Sequence, residues 1–367
     1  MVMDSRTDIL KRDSAQLLRD MVRTPSLSFE EEAVSSLICS RLQAWGVDFE
    51  RVGWNIICRS KSYDPSRNTL MMCAHLDTVA PSPEYDFDPY EPDQPSVPGA
   101  VCGLGSNDDG GSVVSMLAAF RALQSEPLPF NLMLVLTVEE ERTGEHGMRF
   151  LWGSMLRDNV DWAIVGEPTG MRAATSERGL IVLDCEARGL SGHAAREEGV
   201  NALYIALEDI EALRSHRFAK SSPRMGEVHL NVTQISSGTV HNVVPDLCRF
   251  VVDVRPTDVY DNAELVAELQ SLCRSELKPR TLRNSSSATL EGSPLVRNCA
   301  SCGIDTFSSP TTSDWICIDC DAVKMGPGDS ARSHKKNEFL LLDEIDSAVD
   351  TYIRFIRLYG NTLEQGN

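Results

Sequence analysis

Apolar residues along this chain follow two rhythms. Between Thr7 and Arg23 they recur at helical spacing, through Ile9, Leu10, Leu17, Leu18, Met21 and Val22, which predicts an amphipathic helix. Ser28 followed by Glu31 has capping-box spacing and predicts a second helix running to about Trp45. Short continuous apolar runs then take over, each ending in a polar cluster. Thr69–Cys73 ends at His75-Leu76-Asp77, Asn131–Thr137 at Glu139-Glu140-Glu141, and Trp162–Val165 at Gly166-Glu167-Pro168. Between the first two, Asp108-Asp109-Gly110-Gly111 opens a helix through Val113, Val114, Met116, Leu117 and Phe120. Continuous apolar strands alternating with helices predict an α/β fold whose sheet is largely parallel and covered on both faces. Such sheets bind ligands beyond the carboxyl ends of their strands. All three polar clusters fall at that edge.

From about Glu177 the pattern changes. Strands are predicted at Leu180–Glu186, Val228–Ile235 and Cys248–Val254, with helices at Gly199–Leu213 and Asn262–Leu277. This βαββα-like stretch predicts a compact α+β unit inserted into the first domain. The expected organisation is a catalytic domain in two parts, 1–176 and 288–367, around an insert at 177–287. The second part carries a helix near Pro294–Cys302 and closes with one from about Leu342 to Leu358.

Composition narrows the partners. With 35 basic and 54 acidic residues the formal charge is −19, a field that repels nucleic acid and anionic membrane. Apolar runs such as Leu132–Leu136 are too short to span a bilayer, and the opening residues Met1–Asp8 lack the apolar core of a signal peptide. An odd count of 11 cysteines scattered along a long chain does not read as a secreted disulfide framework. The expected compartment is the reducing cytoplasm.

Taken singly, the candidate groups have ordinary explanations. His75 with Asp77 is a weak motif, the three glutamates suit a solvated loop, Glu167 before Pro168 suits a turn, and His334 suits a surface histidine. Together they meet the needs of a pair of metal ions. Histidine and carboxylate at strand ends are zinc ligands. Adjacent cations need a carboxylate to bridge them and another to act as general base, and a ligand histidine needs an acceptor for its second ring nitrogen.

In these stretches the chain resembles the dinuclear zinc amidohydrolases that include acetylornithine deacetylase, succinyl-diaminopimelate desuccinylase and a glutamate-releasing carboxypeptidase. The matching segments are Ala74–Asp77, Gly103–Asp108, Thr137–Glu141, Val165–Thr169, Ser191-Gly192-His193, Asn242–Asp246 and Gly326-Pro327-Gly328 followed by His334. They occur in the family's order and cover nearly the whole chain. Leu104 departs from the arginine often found between the two glycines, without touching a ligand. The segments Pro310–Trp315 and Gly326–His334 look most like the acetylornithine deacetylase branch.

The resemblance implies a three-layer αβα catalytic domain with an inserted ferredoxin-like α+β domain serving as lid and dimerisation surface. It implies two Zn2+ per chain, for which Co2+ can substitute. Asp108 would bridge them, with His75 and Glu167 completing one site and Glu141 and His334 the other. Asp77 would orient His75, and Glu140 would be the general base. His193 would reach the partner subunit's site and stabilise the oxyanion. Asn242 and Arg255 would meet the substrate carboxylate, arginine being suited to bidentate pairing. The implied activity is removal of an acyl group from a small N-acyl amino acid in arginine biosynthesis: N-acetylornithine, acetylcitrulline or succinylornithine. A dipeptidase or carboxypeptidase of the same architecture is the alternative. A rival of another class comes from Cys299/Cys302 and Cys317/Cys320, two CxxC pairs near zinc-ribbon spacing.

Overall fold

The computed structural model describes residues 6–94, 97–196 and 198–364; Met1–Ser5, part of the stretch read for a targeting signal, lie outside them. The chain divides into two compact units. One comprises the residues up to Thr175 with Ala288–Phe307 and those from Ser313 onward; the other comprises Ser176–Ser287 and Ser308–Thr312.

The larger unit opens with α1 (Arg6–Val22), α2 (Glu32–Ala44), β1 (Glu50–Val52), β2 (Asn55–Arg59) and β3 (Thr69–His75). It continues with β4 (Ala100–Cys102), α3 (Gly110–Leu123), β5 (Asn131–Thr137), α4 (Met148–Leu151), β6 (Trp162–Val165) and β7 (Ala173–Glu177). The main sheet runs β1-β2-β5-β3-β6 and then takes a strand from late in the chain, Asp321–Lys324, before β7. The centre of this sheet is parallel: β3 pairs β5 and β6, and Asp321–Lys324 pairs β6. Its flanks, β2 against β5 and β7 against Asp321–Lys324, are antiparallel. The sheet is therefore mixed.

Alternation across the pleat explains why β3 and β5 are apolar at nearly every position. Leu70, Met72, Leu132, Leu134 and Leu136 face one core, shared with Leu17 and Leu18 of α1 and Val113, Leu117 and Phe120 of α3. Met71, Cys73, Met133 and Val135 face a second core, with Leu151, Trp152 and Trp315. Both faces are packed with apolar side chains, so an unpaired polar group there is costly. Polar groups gather where the strands end.

Ser28 and Glu31 do not form the expected capping box. Helix α2 begins at Glu32 without a side-chain cap. Ser28 Oγ donates instead to Asp77 Oδ2 at 2.7 Å, and Glu31 Oε1 accepts the N–H of Phe29 at 2.9 Å and of Glu139 at 3.1 Å. The buried backbone of a loop beyond β5 takes the acceptor that local spacing had assigned to the helix.

The second unit contains β8 (Ile181–Arg188), β9 (Gly192–His193), α5 (Ala202–Ser215), β10 (His229–Ser237) and β11 (Val243–Val244). It ends with β12 (Leu247–Arg255), α6 (Asn262–Leu272) and β13 (Glu276–Pro279). Its antiparallel sheet has the order β10-β12-β8-β13, and β9 and β11 form a separate ribbon. That order with two helices on one face is the ferredoxin-like arrangement, built on a core of Ile181, Leu183, Ile205, Phe250, Val252, Leu265 and Leu269. Helix α6 is shorter than its periodicity predicts. The buried Asp209 carboxylate accepts from Arg274 N–H and Ser275 N–H, while Gln270 bonds Ser275 and Leu277. These bonds stop the helix at Leu272 and turn Leu277 into a strand residue opposite Cys185.

The return to the larger unit supplies β14 (Ser287–Ala288), α7 (Pro294–Ser301), β15 (Thr306–Ser309), β16 (Asp321–Lys324), β17 (Phe339–Leu341) and α8 (Leu342–Glu364). Strand β17 pairs with β4. No helix among the described residues is long and apolar enough to cross a membrane.

Candidate metal centre

The parallel register fixes where the site lies. His75 is opposite Thr137, and Cys73 is opposite Val165, so the residues just past β3, β5 and β6 emerge at one edge. Asp108, on the turn before α3, joins them. Ligand atoms of His75, Asp108 and Glu167 lie within 4.8 Å of one another, as do those of Asp108, Glu141 and His334 and those of His75, Glu140 and Glu141. His75 and Asp108 are buried, whereas the His334 side chain is 54% exposed, so the site opens to solvent on that side.

One carboxylate faces both histidines. Asp108 Oδ1 is 3.2 Å from His75 Nε2, and Asp108 Oδ2 is 3.6 Å from His334 Nε2. His334 Nε2 also lies 2.9 Å from Glu141 Oε1. His75 Nδ1 meets the Asp77 carbonyl at 2.9 Å, and a carbonyl can only accept, so Nδ1 carries a proton. In the neutral ring Nε2 then presents a lone pair toward an Asp108 oxygen. Two lone pairs at that distance need a positive charge between them, and a divalent cation meets that need. The donor set, two imidazoles and several carboxylates, is one that zinc accepts.

Electrostatics points the same way. Burial, together with Glu167, Glu141 and Asp314, raises the Glu140 pKa well above 4.5 despite the nearby His75. Burial and Asp108 do the same for Glu167, which Lys324 only partly offsets. The hydrogen bond to Glu141 lifts His334 to about 9. Burial disfavours the His75 cation, but Asp108 and Asp77 outweigh it and raise the ring well above 6.5. Crowded acids that retain protons, and imidazoles that gain them, mark a site short of positive charge.

Asp77, expected to orient His75, meets the ring through its backbone carbonyl. Its carboxylate is 3.5 Å from His75 Nδ1, farther than its own carbonyl. Oδ1 accepts the Glu140 N–H at 3.0 Å, and Oδ2 accepts the Glu141 N–H at 3.1 Å and the Ser28 hydroxyl. Asp77 thus fixes the turn bearing both glutamates. The third, Glu139, lies in a left-handed conformation at φ 64° and accepts the His146 N–H, away from the cluster.

The remaining candidates belong to the second unit. His193 pairs across the ribbon with Val243, and its Nδ1 accepts the Ala195 N–H at 3.2 Å. Neutral His193 therefore keeps its proton on Nε2, as a donor. The Asn242 carbonyl accepts the Ala194 N–H. Arg255 pairs with both oxygens of Asp253 and donates to Thr312.

The four cysteines of the rival reading are not brought together. Cys299 and Cys302 lie in the core of one sheet face, and Cys317 and Cys320 pack against the core of the other. The sheet separates the pairs, and no metal-ligand cluster among the described residues contains a cysteine. Residues that sequence reasoning missed include Glu31, Asp314, which accepts the Thr137 hydroxyl at 2.7 Å, and the buried Glu338. The spacing of Glu31 points only to a helix cap, and no spacing sets Asp314 or Glu338 apart from a surface acid.

Two histidines and several carboxylates grouped around a shared acid point to a class, the hydrolases that use paired metal ions. The chain matches the model of peptidase family M20/M25/M40 over residues 71–358, and it belongs to that family. It is 24% identical over 362 residues to succinyl-diaminopimelate desuccinylase of Xylella fastidiosa (strain M12), covering 91% of this chain and 95% of that protein. It is 24% identical over 369 residues to acetylornithine deacetylase of Proteus mirabilis (strain HI4320), covering 89% and 91%. Its fold is similar to that of a dinuclear metal binding peptidase of the M20 family from Bacillus subtilis, with a TM-score of 0.71, 15% identity and coverage of 96% and 99%. The chain is a metal-dependent hydrolase of N-acyl amino acids or peptides.

Proposed function

We propose that this protein is a zinc-dependent deacylase of a small N-acyl amino acid, acting on N-acetylornithine or on its relatives acetylcitrulline or succinylornithine. The observation that carries the metal chemistry is the Asp108 carboxylate, whose two oxygens face His75 and His334. The N-acyl substrate is supported by the likeness to a deacetylase and a desuccinylase along almost their full lengths.

In this reading His75, Asp108 and Glu167 would hold one cation, and Asp108, Glu141 and His334 the other. Paired metal ions there would supply Lewis acidity, polarising the scissile carbonyl and making a water acidic enough to attack near neutral pH. Glu140 takes the proton of that water and returns it to the leaving amine. Asp77 keeps Glu140 and Glu141 in register. His193, supplied by a second copy of the chain through the 177–287 lid, donates from Nε2 to the developing oxyanion. Arg255 and Asn242 receive the substrate carboxylate, Arg255 with the N–H groups that Asp253 and Thr312 leave over. The proposed setting is a cytoplasmic homodimer, in keeping with eleven cysteines that form no disulfide among the described residues.

The test is a substrate panel with added zinc or cobalt. Acetylornithine, acetylcitrulline and succinylornithine are compared with dipeptides and folate-like glutamates. Turnover confined to the acyl amino acids is expected. Preference for dipeptides would replace the deacylase by a peptidase of the same family.

A further inference from the structure

Beyond the ligands lies a buried acid with no part in the chemistry above. Glu338 is 2% exposed and sits four residues after His334, just before β17. Its Oε1 accepts two consecutive backbone N–H groups, those of Asn107 at 2.8 Å and Asp108 at 2.9 Å. Its own carbonyl accepts the Gly103 N–H at 2.8 Å. The turn carrying Asp108 is thereby fastened to the segment that follows His334.

A second tie comes from the other side of His334. The Asn107 amide donates to the Asp329 carbonyl at 3.1 Å and to Ser333 Oγ at 3.3 Å, and its oxygen accepts the Asp329 N–H at 2.9 Å. A third holds the segment itself: Asn337 accepts the Asp86 N–H and donates to the Asp86 carboxylate. His334, at φ 56°, thus sits on a short arch pinned at both ends, with Asp108 bonded to the same frame.

We propose that Glu338 is a positioning residue that sets the spacing between Asp108 and His334, and so builds the cation position formed by Asp108, Glu141 and His334. This rests on the two-metal reading above. The two positions differ in support. His75 and Glu167 follow directly from β3 and β6 and are located by the sheet, whereas His334 lies on a loop and depends on the arch. Loss of the Glu338 oxygen leaves two buried N–H groups unpaired and frees one foot of that arch.

The test is a Co2+ titration of metal-stripped protein, followed by visible absorption, with metal content measured after dialysis. Wild type is expected to take two ions. Glu338→Ala is expected to take one at wild-type affinity and the other about 10- to 100-fold more weakly, the usual effect of removing an outer hydrogen-bond partner of a ligand. Glu338→Gln keeps an accepting oxygen and is expected to hold both ions as wild type does. If alanine prevents folding, Glu338→Asp, with its carboxylate drawn back by one methylene, is expected to show the same selective weakening.

Equal weakening of both ions in the folded variant would overturn the proposal, as would unchanged binding. Failure of Glu338→Gln to restore the second ion would also overturn it, because charge rather than the two N–H bonds would then be at work. A wild type that binds fewer than two ions would overturn the metal reading itself, which separates the two failures.

Discussion

Glu140 and Glu141 are neighbours in sequence and meet different histidines, because the backbone of the turn aims them apart. Glu141 meets His334 at 2.9 Å, while Glu140 comes within 4.0 Å of His75 and keeps a raised pKa. Glu140→Gln preserves shape and removes the carboxylate proposed as proton acceptor. It is expected to leave two metal ions bound and to lower kcat about 100- to 10,000-fold; parallel measurement of metal content and turnover checks this. His193→Ala is expected to lower kcat about 100- to 1,000-fold, as removal of an oxyanion donor does, with metal uptake unchanged. If both metals are lost with His193, it is not a donor to substrate. At this scale the sequence was partly legible. Of the candidate ligands, His75, Glu141 and Glu167 stand at or just past strand ends, which an apolar run reveals, whereas Asp108 and His334 stand on loops. Glu31 and Glu338 could not be read, since each acts on backbone N–H groups more than a hundred residues away.

Elements position these residues by close approach. Gly326 lies where β16 ends, and a Cβ there would fall 2.5 Å from the Glu167 carbonyl and 2.3 Å from Ser112 Oγ. Gly326→Ala therefore pushes the Glu167 turn outward. It is expected to reduce stability by about 1–3 kcal/mol, the range for overpacking a tight site, and to weaken metal binding at His75, Asp108 and Glu167. A thermal melt with and without metal measures both effects. The cysteine pairs give a contrasting case. Ser at Cys317 and Cys320, on the rim of one core, is expected to leave metal stoichiometry unchanged; loss of an ion would revive the zinc ribbon. Periodicity read the helices and the continuous strands well, because burial of whole faces leaves an apolar record. It missed the short strands β1, β2 and β13, and it extended α6 into β13, because Leu277 is apolar on a strand as it would be on a helix. Spacing also mistook Ser28 and Glu31 for a local cap, when long-range partners take both side chains.

On the scale of the whole molecule, the charge problem of the site couples folding to metal and pH. Without metal, burial raises Glu140, Glu141 and Glu167 above 4.5, and burial lifts Asp109 and Glu338 to about 8. His334 reaches about 9 through Glu141. A carboxyl with a raised folded pKa stabilises the fold fully below its unfolded value and loses that contribution as pH climbs to the folded one. His334 behaves alike, contributing fully below 6.5 and losing its share through about 9. Asp77 and Asp108, lowered from 3.8, work in the opposite sense only in more acid solution. The metal-stripped protein is thus expected to lose thermal stability steadily from about pH 4.5 to about pH 9. Bound metal requires deprotonated ligands, so the loaded protein should gain on the stripped one as pH rises. Parallel melting curves for the two forms would contradict this coupling. The most direct measurement is an anomalous-scattering map at the zinc edge from crystals of the metal-loaded protein. It should show two peaks about 3.5–4 Å apart, both in contact with Asp108, one beside His75 and the other beside His334. A single peak, or peaks that do not share Asp108, would contradict the account.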